Sequence, residues 1–184
     1  MPTTWSSTGR GAPADASVTV AAAPRGPMNL TERIPGDALV VLVGAAASGK
    51  SRFAREKFRP TQILSSDAFR GMVADDESDQ SATEEAFDLL ERAASSRLSR
   101  GLLTVIDATN LESWVRFRLL DLAARHGRPA VALVFEVPGE ALLDRDARRA
   151  DRRVGDAVVK QHARQLRAAL RGIDREGFRA VLRV

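Results

Sequence analysis

From residue 37 onward, short apolar runs alternate with longer segments of helical period. Residues 38–43, Ala-Leu-Val-Val-Leu-Val, are continuously apolar and rich in β-branched side chains, as a strand buried on both faces requires. Residues 49–58 are predicted to form a helix, stopped by Pro60, because proline forces the residue before it into an extended conformation. Residues 61–65 read as a short strand. A long helix is predicted over 81–100, with Phe87, Leu90, Ala94 and Leu98 on one face. Ser81 and Glu84 give its start a capping box, and Gly101 its end. Residues 102–106 form a third buried strand. Asn110 is predicted to cap a helix that runs through His126 and closes at Gly127. A fourth strand covers 130–136, before Pro138. Helical stretches follow at 139–149 and 156–171, the second closed by Gly172, and a last strand covers 178–184.

This alternation predicts an α/β fold: a mostly parallel sheet of about five strands with helices on both faces. Such sheets bind ligands beyond the carboxyl ends of their strands. Residues 1–36 differ in texture. They are rich in Pro, Gly, Ala, Ser and Thr without periodicity, and read as a disordered tail or leader. One domain is therefore expected over 37–184, with no internal repeat.

Composition narrows the chemistry. The chain has no cysteine, which excludes disulfides, zinc–thiolate sites and thiol catalysis, and its two histidines argue against a His-rich metal centre. No apolar run approaches the ~20 residues of a membrane helix, and the N-terminus lacks the basic-then-apolar order of a signal peptide. The expectation is a cytoplasmic chain without a membrane partner. The net charge of +4 is unevenly spread. Residues 71–91 hold eight acids and no base, whereas residues 141–184 hold twelve Lys/Arg against six Asp/Glu. A basic C-terminal third suits a polyanionic partner; a solvated, arginine-biased surface would give the same count.

The first strand runs directly into Gly44-Ala45-Ala46-Ala47-Ser48-Gly49-Lys50-Ser51, which is G-x-x-x-x-G-K-S between a predicted strand and a predicted helix. Gly44 and Gly49 allow the main chain to close on an anion. Successive backbone N–H groups then point at phosphate, aided by the helix dipole. Lys50 can neutralise β/γ charge, and the Ser51 hydroxyl can ligate Mg²⁺.

Three further groups lie where strand ends would gather. After the second strand comes Ser65-Ser66-Asp67-Ala68-Phe69-Arg70, read as a loop beside the P-loop. Asp67 there can take a proton from an attacking hydroxyl, and Arg70 can fork onto an acceptor phosphate. Equally, Asp67 can cap a short helix while Arg70 pairs with the acidic run that follows. After the third strand, Asp107 can hold Mg²⁺ through water, or simply orient Ser51 or Thr109. Arg145 and Arg149, four apart in a basic helical stretch, can form an arginine-rich lid that closes on donor phosphates; an exposed charged helix with internal Asp–Arg pairs is the alternative, which the P-loop disfavours. His162 shares a helix face with Val158, Val159 and Leu166 and reads as a packing residue. Trp5 and Trp114 show no aromatic neighbours spaced as a base-stacking platform. The Asp75–Gln80 run lacks the glycine and terminal glutamate of a calcium loop and reads as a helix leader.

Taken together these motifs resemble the 5′-hydroxyl polynucleotide kinases, in particular the kinase module of the bacterial polynucleotide kinase-phosphatases that heal broken RNA ends. The likeness covers the predicted domain. It rests on the P-loop, Ser65 to Gly71, the Asp75–Gln80 run, Thr104-Val105-Ile106-Asp107-Ala108-Thr109-Asn110, the Arg145/Arg149 pair and Arg175-Glu176-Gly177-Phe178. The resemblance implies a P-loop NTPase kinase fold with an arginine-rich lid. It implies Asp67 as general base toward the 5′-OH of an RNA or DNA strand, and Arg70 on the adjacent phosphate; after Arg70, Gln80 or an arginine of the C-terminal third is the next candidate for that contact. It implies Lys50 and Ser51 serving ATP and Mg²⁺, and Arg145 and Arg149 on the donor phosphates, with Lys50 and Arg149 assisting catalysis. Phosphatase and ligase modules in a longer parent chain, and a homo-oligomer, are the partners it leaves open. The departure is the alanine run at 45–47, where many such loops carry Gly or Ser; the backbone donors survive the change. A small-metabolite kinase of the same fold, and an ATP-dependent switch without transfer chemistry, are the competing functions.

Overall fold

The computed structural model describes residues 30–148 and 153–184. Its centre is a five-stranded, wholly parallel sheet: β1 (Leu39–Val43), β2 (Ile63–Ser65), β3 (Thr104–Asp107), β4 (Ala130–Val134) and β5 (Ala180–Arg183), in the order β2-β3-β1-β4-β5. Six helices connect and flank the strands: α1 (Lys50–Lys57), α2 (Ser66–Ala74), α3 (Thr83–Leu98), α4 (Ser113–Arg125), α5 (Gly139–Ala147) and α6 (Asp156–Leu170). The chain leaves β1 toward one edge and returns to its other side for β4. The reversal of strand order therefore lies beside β1, and the crevice it opens sits above the P-loop.

Every residue of β1 is buried, and its alternation assigns the two faces. Leu39, Val41 and Val43 pack with Leu90 and Leu98 of α3, Leu119 and Leu122 of α4 and Leu166 of α6. Val40 and Leu42 point the other way, toward Ala54 of α1, Phe58, Phe135 and Leu182. Full burial of one such aliphatic side chain contributes about 1.5–3 kcal/mol, so one strand serving two cores anchors both layers. Phe53 adds edge-to-face contacts with Phe58 and Phe135, at centroid distances of 6.3 and 5.4 Å. Leu30 and Ile34, within the expected N-terminal tail, also pack on this side; the rest of that tail, residues 1–29, lies outside the described residues.

Three local expectations are corrected. The segment after β2 is not a loop but the nine-residue helix α2, capped by Ser65, whose Oγ accepts from the Ala68 N–H at 3.4 Å. Gly71 obscured it. This glycine stands inside the helix, where a Cβ would lie 3.1 Å from Glu77 Cγ. The capping box of α3 does not form. Instead, Asp79 accepts from both the backbone N–H and the Oγ of Ser81, at 2.9 and 2.6 Å, in a 3-10 turn that precedes α3. A local Asx turn thus outcompetes the box. Asn110 does not cap α4, which starts at Ser113; it is buried at φ +47°, and its amide donates to the Leu42 carbonyl at 2.7 Å.

Arg116 of α4 is 1% exposed and binds Glu176 through two bonds of 2.7 and 2.6 Å. Its Nη1 also donates to the carbonyls of Asn110 and Leu111, at 2.9 and 2.7 Å. One guanidinium therefore pins the β3–α4 loop to the approach to β5. Removing it strands a buried carboxylate and two carbonyls. Arg116→Ala is expected to lose about 3–5 kcal/mol of stability, read as a lower denaturation midpoint in urea. A change below about 1 kcal/mol would show that the cluster holds no strain-bearing position.

Candidate active site

The P-loop joins β1 to α1. Its glycines are required for different reasons. A Cβ on Gly44 would approach Phe135 Cβ and Ser48 Oγ at 3.0 Å each, and Gly49 sits at φ +95°. Ala47 also lies in the left-handed region, at φ +61°. For a residue with a Cβ this costs of order 1–3 kcal/mol, and such strain gathers at ligand clamps. The alanine run thus keeps its backbone donors at the expense of strain at Ala47. Lys50 is buried, and its Nζ donates to the carbonyls of Gly44 (2.9 Å) and Ala45 (2.7 Å) and to Ser48 Oγ (3.3 Å).

Ser51 lies in the first turn of α1 and donates its hydroxyl to Asp107 Oδ1 at 3.1 Å. Asp107 ends β3 opposite Ser65 of β2, which sets the carboxylate beside the start of α2. Burial pushes its carboxyl above the usual range, against the Ser51 hydrogen bond and the Lys50 charge, which lower it. A desolvated carboxylate next to a hydroxyl is a hard oxygen pair whose charge a divalent cation would offset. The residues therefore fit Mg²⁺. Among the described residues no group of three or more His, Cys, Asp or Glu is placed to hold a metal by itself.

Asp67 lies in the first turn of α2, paired with Arg70 three residues on. Arg70 is buried, whereas the Asp67 side chain is 46% exposed. Arg70 Nε also donates to the Glu77 carbonyl at 3.0 Å. The structure thus locks the arginine and leaves the carboxylate facing the cleft. Gln80 donates to the Ser78 carbonyl at 3.1 Å on the same rim. Arg145 reaches the P-loop from α5, with Nη1 3.4 Å from the Ser48 carbonyl. Arg149 lies outside the described residues.

One cleft of about 1310 Å³ brings these groups together: P-loop residues 46–51, Asp67, Arg70, Gln80, Asp107 and Arg145 all line it. Its volume exceeds the roughly 300–1,000 Å³ of ordinary small-molecule pockets, which leaves room for two substrates. Phe87 and Trp114 also line this cleft, the latter 58% exposed.

Sequence reasoning missed two contacts. His162, read as a packing residue, accepts a hydrogen bond at Nδ1 from the Ala46 N–H of the P-loop, at 3.3 Å. Burial, and then the nearby Lys50, lower its pKa. Buried Asp146 accepts from the N–H groups of Val154 and Gly155, at 3.2 and 3.0 Å, and so ties the start of α6 to α5. Neither residue carries a local motif; each becomes visible only when α5 and α6 pack.

A family model described as "AAA domain" matches residues 39–173. No curated protein matches the sequence. Among solved structures, the chain is similar to one in the Pnkp1/Rnl/Hen1 complex, at 26% identity and a TM-score of 0.53, over 62% of this chain and 40% of that one. It is also similar to a chain of the AvrRxo1-ORF1:AvrRxo1-ORF2 structure with ATP, at 21% identity and a TM-score of 0.55, over 75% and 50%. A gluconokinase from Sinorhizobium meliloti 1021 matches at 19% identity and a TM-score of 0.50, over 81% and 82%. The chain thus spans 40–50% of the length of the first two; at their identities the last two show the fold alone. The fold is that of the P-loop kinases, α/β with a five-stranded parallel sheet. Among the described residues no helix is long and apolar enough to cross a membrane.

Proposed function

The chain belongs to the AAA domain family matched over residues 39–173, and on that premise we propose that it transfers the γ-phosphate of ATP to the 5′-OH end of an RNA or DNA strand. The observation that carries this reading is the Asp67–Arg70 pair, set in the same cleft as the P-loop with its carboxylate exposed and its arginine buried. Asp67 accepts the proton of the attacking hydroxyl. Arg70 holds that carboxylate, and the donors left after Asp67 and Glu77 are served meet the phosphate next to the hydroxyl. Lys50, Arg145 and, beyond the described residues, Arg149 neutralise the donor phosphates. Ser51 and Asp107 would hold Mg²⁺, which when bound supplies charge stabilisation for the transferring group. Phe87 and Trp114 offer apolar wall to a nucleobase. Nucleic acid end repair, a cytoplasmic setting, and phosphatase and ligase partners in a longer chain belong to the same proposal.

Arg70 supplies the test. A nucleoside 3′-phosphate carries the phosphate that Arg70 reads; the bare nucleoside does not. The parent protein is expected to prefer the former. Arg70→Ala is expected to slow both acceptors, since it loosens Asp67, and to lose that preference. A charge-assisted contact of about 1.5–3 kcal/mol corresponds to a roughly ten- to a hundred-fold change in kcat/KM. A variant that keeps the parental preference would move the phosphate contact to Gln80. A parent protein that uses both acceptors equally would contradict the proposed substrate class.

A further inference from the structure

We propose that His162 is a ligand of the donor nucleotide's phosphates, presenting its Nε2–H to them while Nδ1 is held by the P-loop. The inference rests on the reading of this cleft as a nucleotide site. Its basis is the Ala46 contact. A backbone N–H can only donate, so Nδ1 must accept, and in the neutral imidazole the proton is then on Nε2. The hydrogen bond fixes the tautomer and the ring plane together.

Placement does the rest. On α6, Val159 and Leu166 are buried, and they flank His162 at three and four residues' distance. The helix therefore turns His162 inward, at the border between the core and the cleft it lines with Ala46 to Lys50. The ring is half-buried, and the Lys50 ammonium lies close enough to disfavour its protonation. Among the described residues, Ala46 is its one hydrogen-bonding partner. A neutral N–H donor beside buried Lys50 and the exposed Arg145 adds to an anion cradle without adding a second buried charge. It would do for the phosphates what the loop's own amides do, from the α6 side of the cleft.

Two near-isosteric variants separate this role from support of the P-loop. In His162→Asn the amide oxygen takes the place of Nδ1, so Ala46 keeps its acceptor, but nothing stands where Nε2–H stood. In His162→Gln the amide nitrogen reaches the Nε2 position and restores a donor. Binding of ATP and of adenosine to the full chain is measured by calorimetry in the presence of Mg²⁺. His162→Asn is expected to weaken ATP roughly ten- to a hundred-fold, as for a hydrogen bond to a charged group, and to leave adenosine unchanged. His162→Gln is expected to recover most of the ATP affinity. Three results would overturn the inference alone: parental ATP affinity in His162→Asn, equal loss in both variants, or loss confined to His162→Gln. A parent protein without measurable ATP affinity would overturn the nucleotide reading as well.

Discussion

Asp67→Asn is expected to bind ATP as the parent protein does and to turn over roughly 10²–10⁴-fold more slowly, the scale of a lost general base. The substitution changes little else. Asparagine keeps the shape of the side chain, and its amide oxygen can still accept from Arg70. The pair it weakens is an i,i+3 pair on α2 whose carboxylate is 46% exposed, so its contribution to stability is small. Thermal melting should therefore stay close to that of the parent, while the proton of the acceptor hydroxyl loses its destination. Steady-state turnover with saturating ATP and acceptor reads the effect. Turnover within a few-fold of the parent would remove Asp67 from the chemistry and leave it as the partner of Arg70.

Lys50→Met is expected to lower transfer by roughly 10²–10³-fold or more, the scale seen when one preorganised electrostatic group is removed. Lys50 does two things in the structure. Its ammonium sits buried inside the loop, and it ties Gly44, Ala45 and Ser48 together at 2.7–3.3 Å. Methionine keeps most of the aliphatic volume and removes the charge. The loss should appear both in ATP affinity, by calorimetry, and in the rate of a single turnover. Transfer close to the parental rate would contradict the P-loop reading of residues 44–51.

The layered fold was legible because the apolar runs were unambiguous. Val40 and Val41 point to opposite cores, and a strand buried on both faces leaves no polar position to confuse its period. The P-loop was legible because its chemistry is local: four fixed residues within one turn between a strand and a helix. The helix α2 was not. Gly71 inside it lies close to Glu77, a neighbour that only the fold brings near. The two helix caps misread at Ser81 and Asn110 failed for related reasons. Asp79 offered Ser81 a nearer bond, and the Leu42 carbonyl claimed the Asn110 amide from 68 residues away. Long-range contacts of this kind also hid His162, whose P-loop partner lies 116 residues earlier, and the Arg116–Glu176 pair. Asp67, Arg70, Asp107 and Arg145 line one cleft, and the sequence could place them near one another because they lie at or beyond the carboxyl ends of strands in a parallel sheet.

The central claim is that this cleft phosphorylates a 5′-hydroxyl end. Transfer of labelled γ-phosphate from ATP tests it most directly, with a 5′-OH oligonucleotide, the same oligonucleotide already carrying a 5′-phosphate, and a sugar acid as parallel acceptors. Label on the 5′-OH strand alone is the predicted result. Label on the sugar acid and none on either strand, or ATP hydrolysis indifferent to every acceptor, would contradict it.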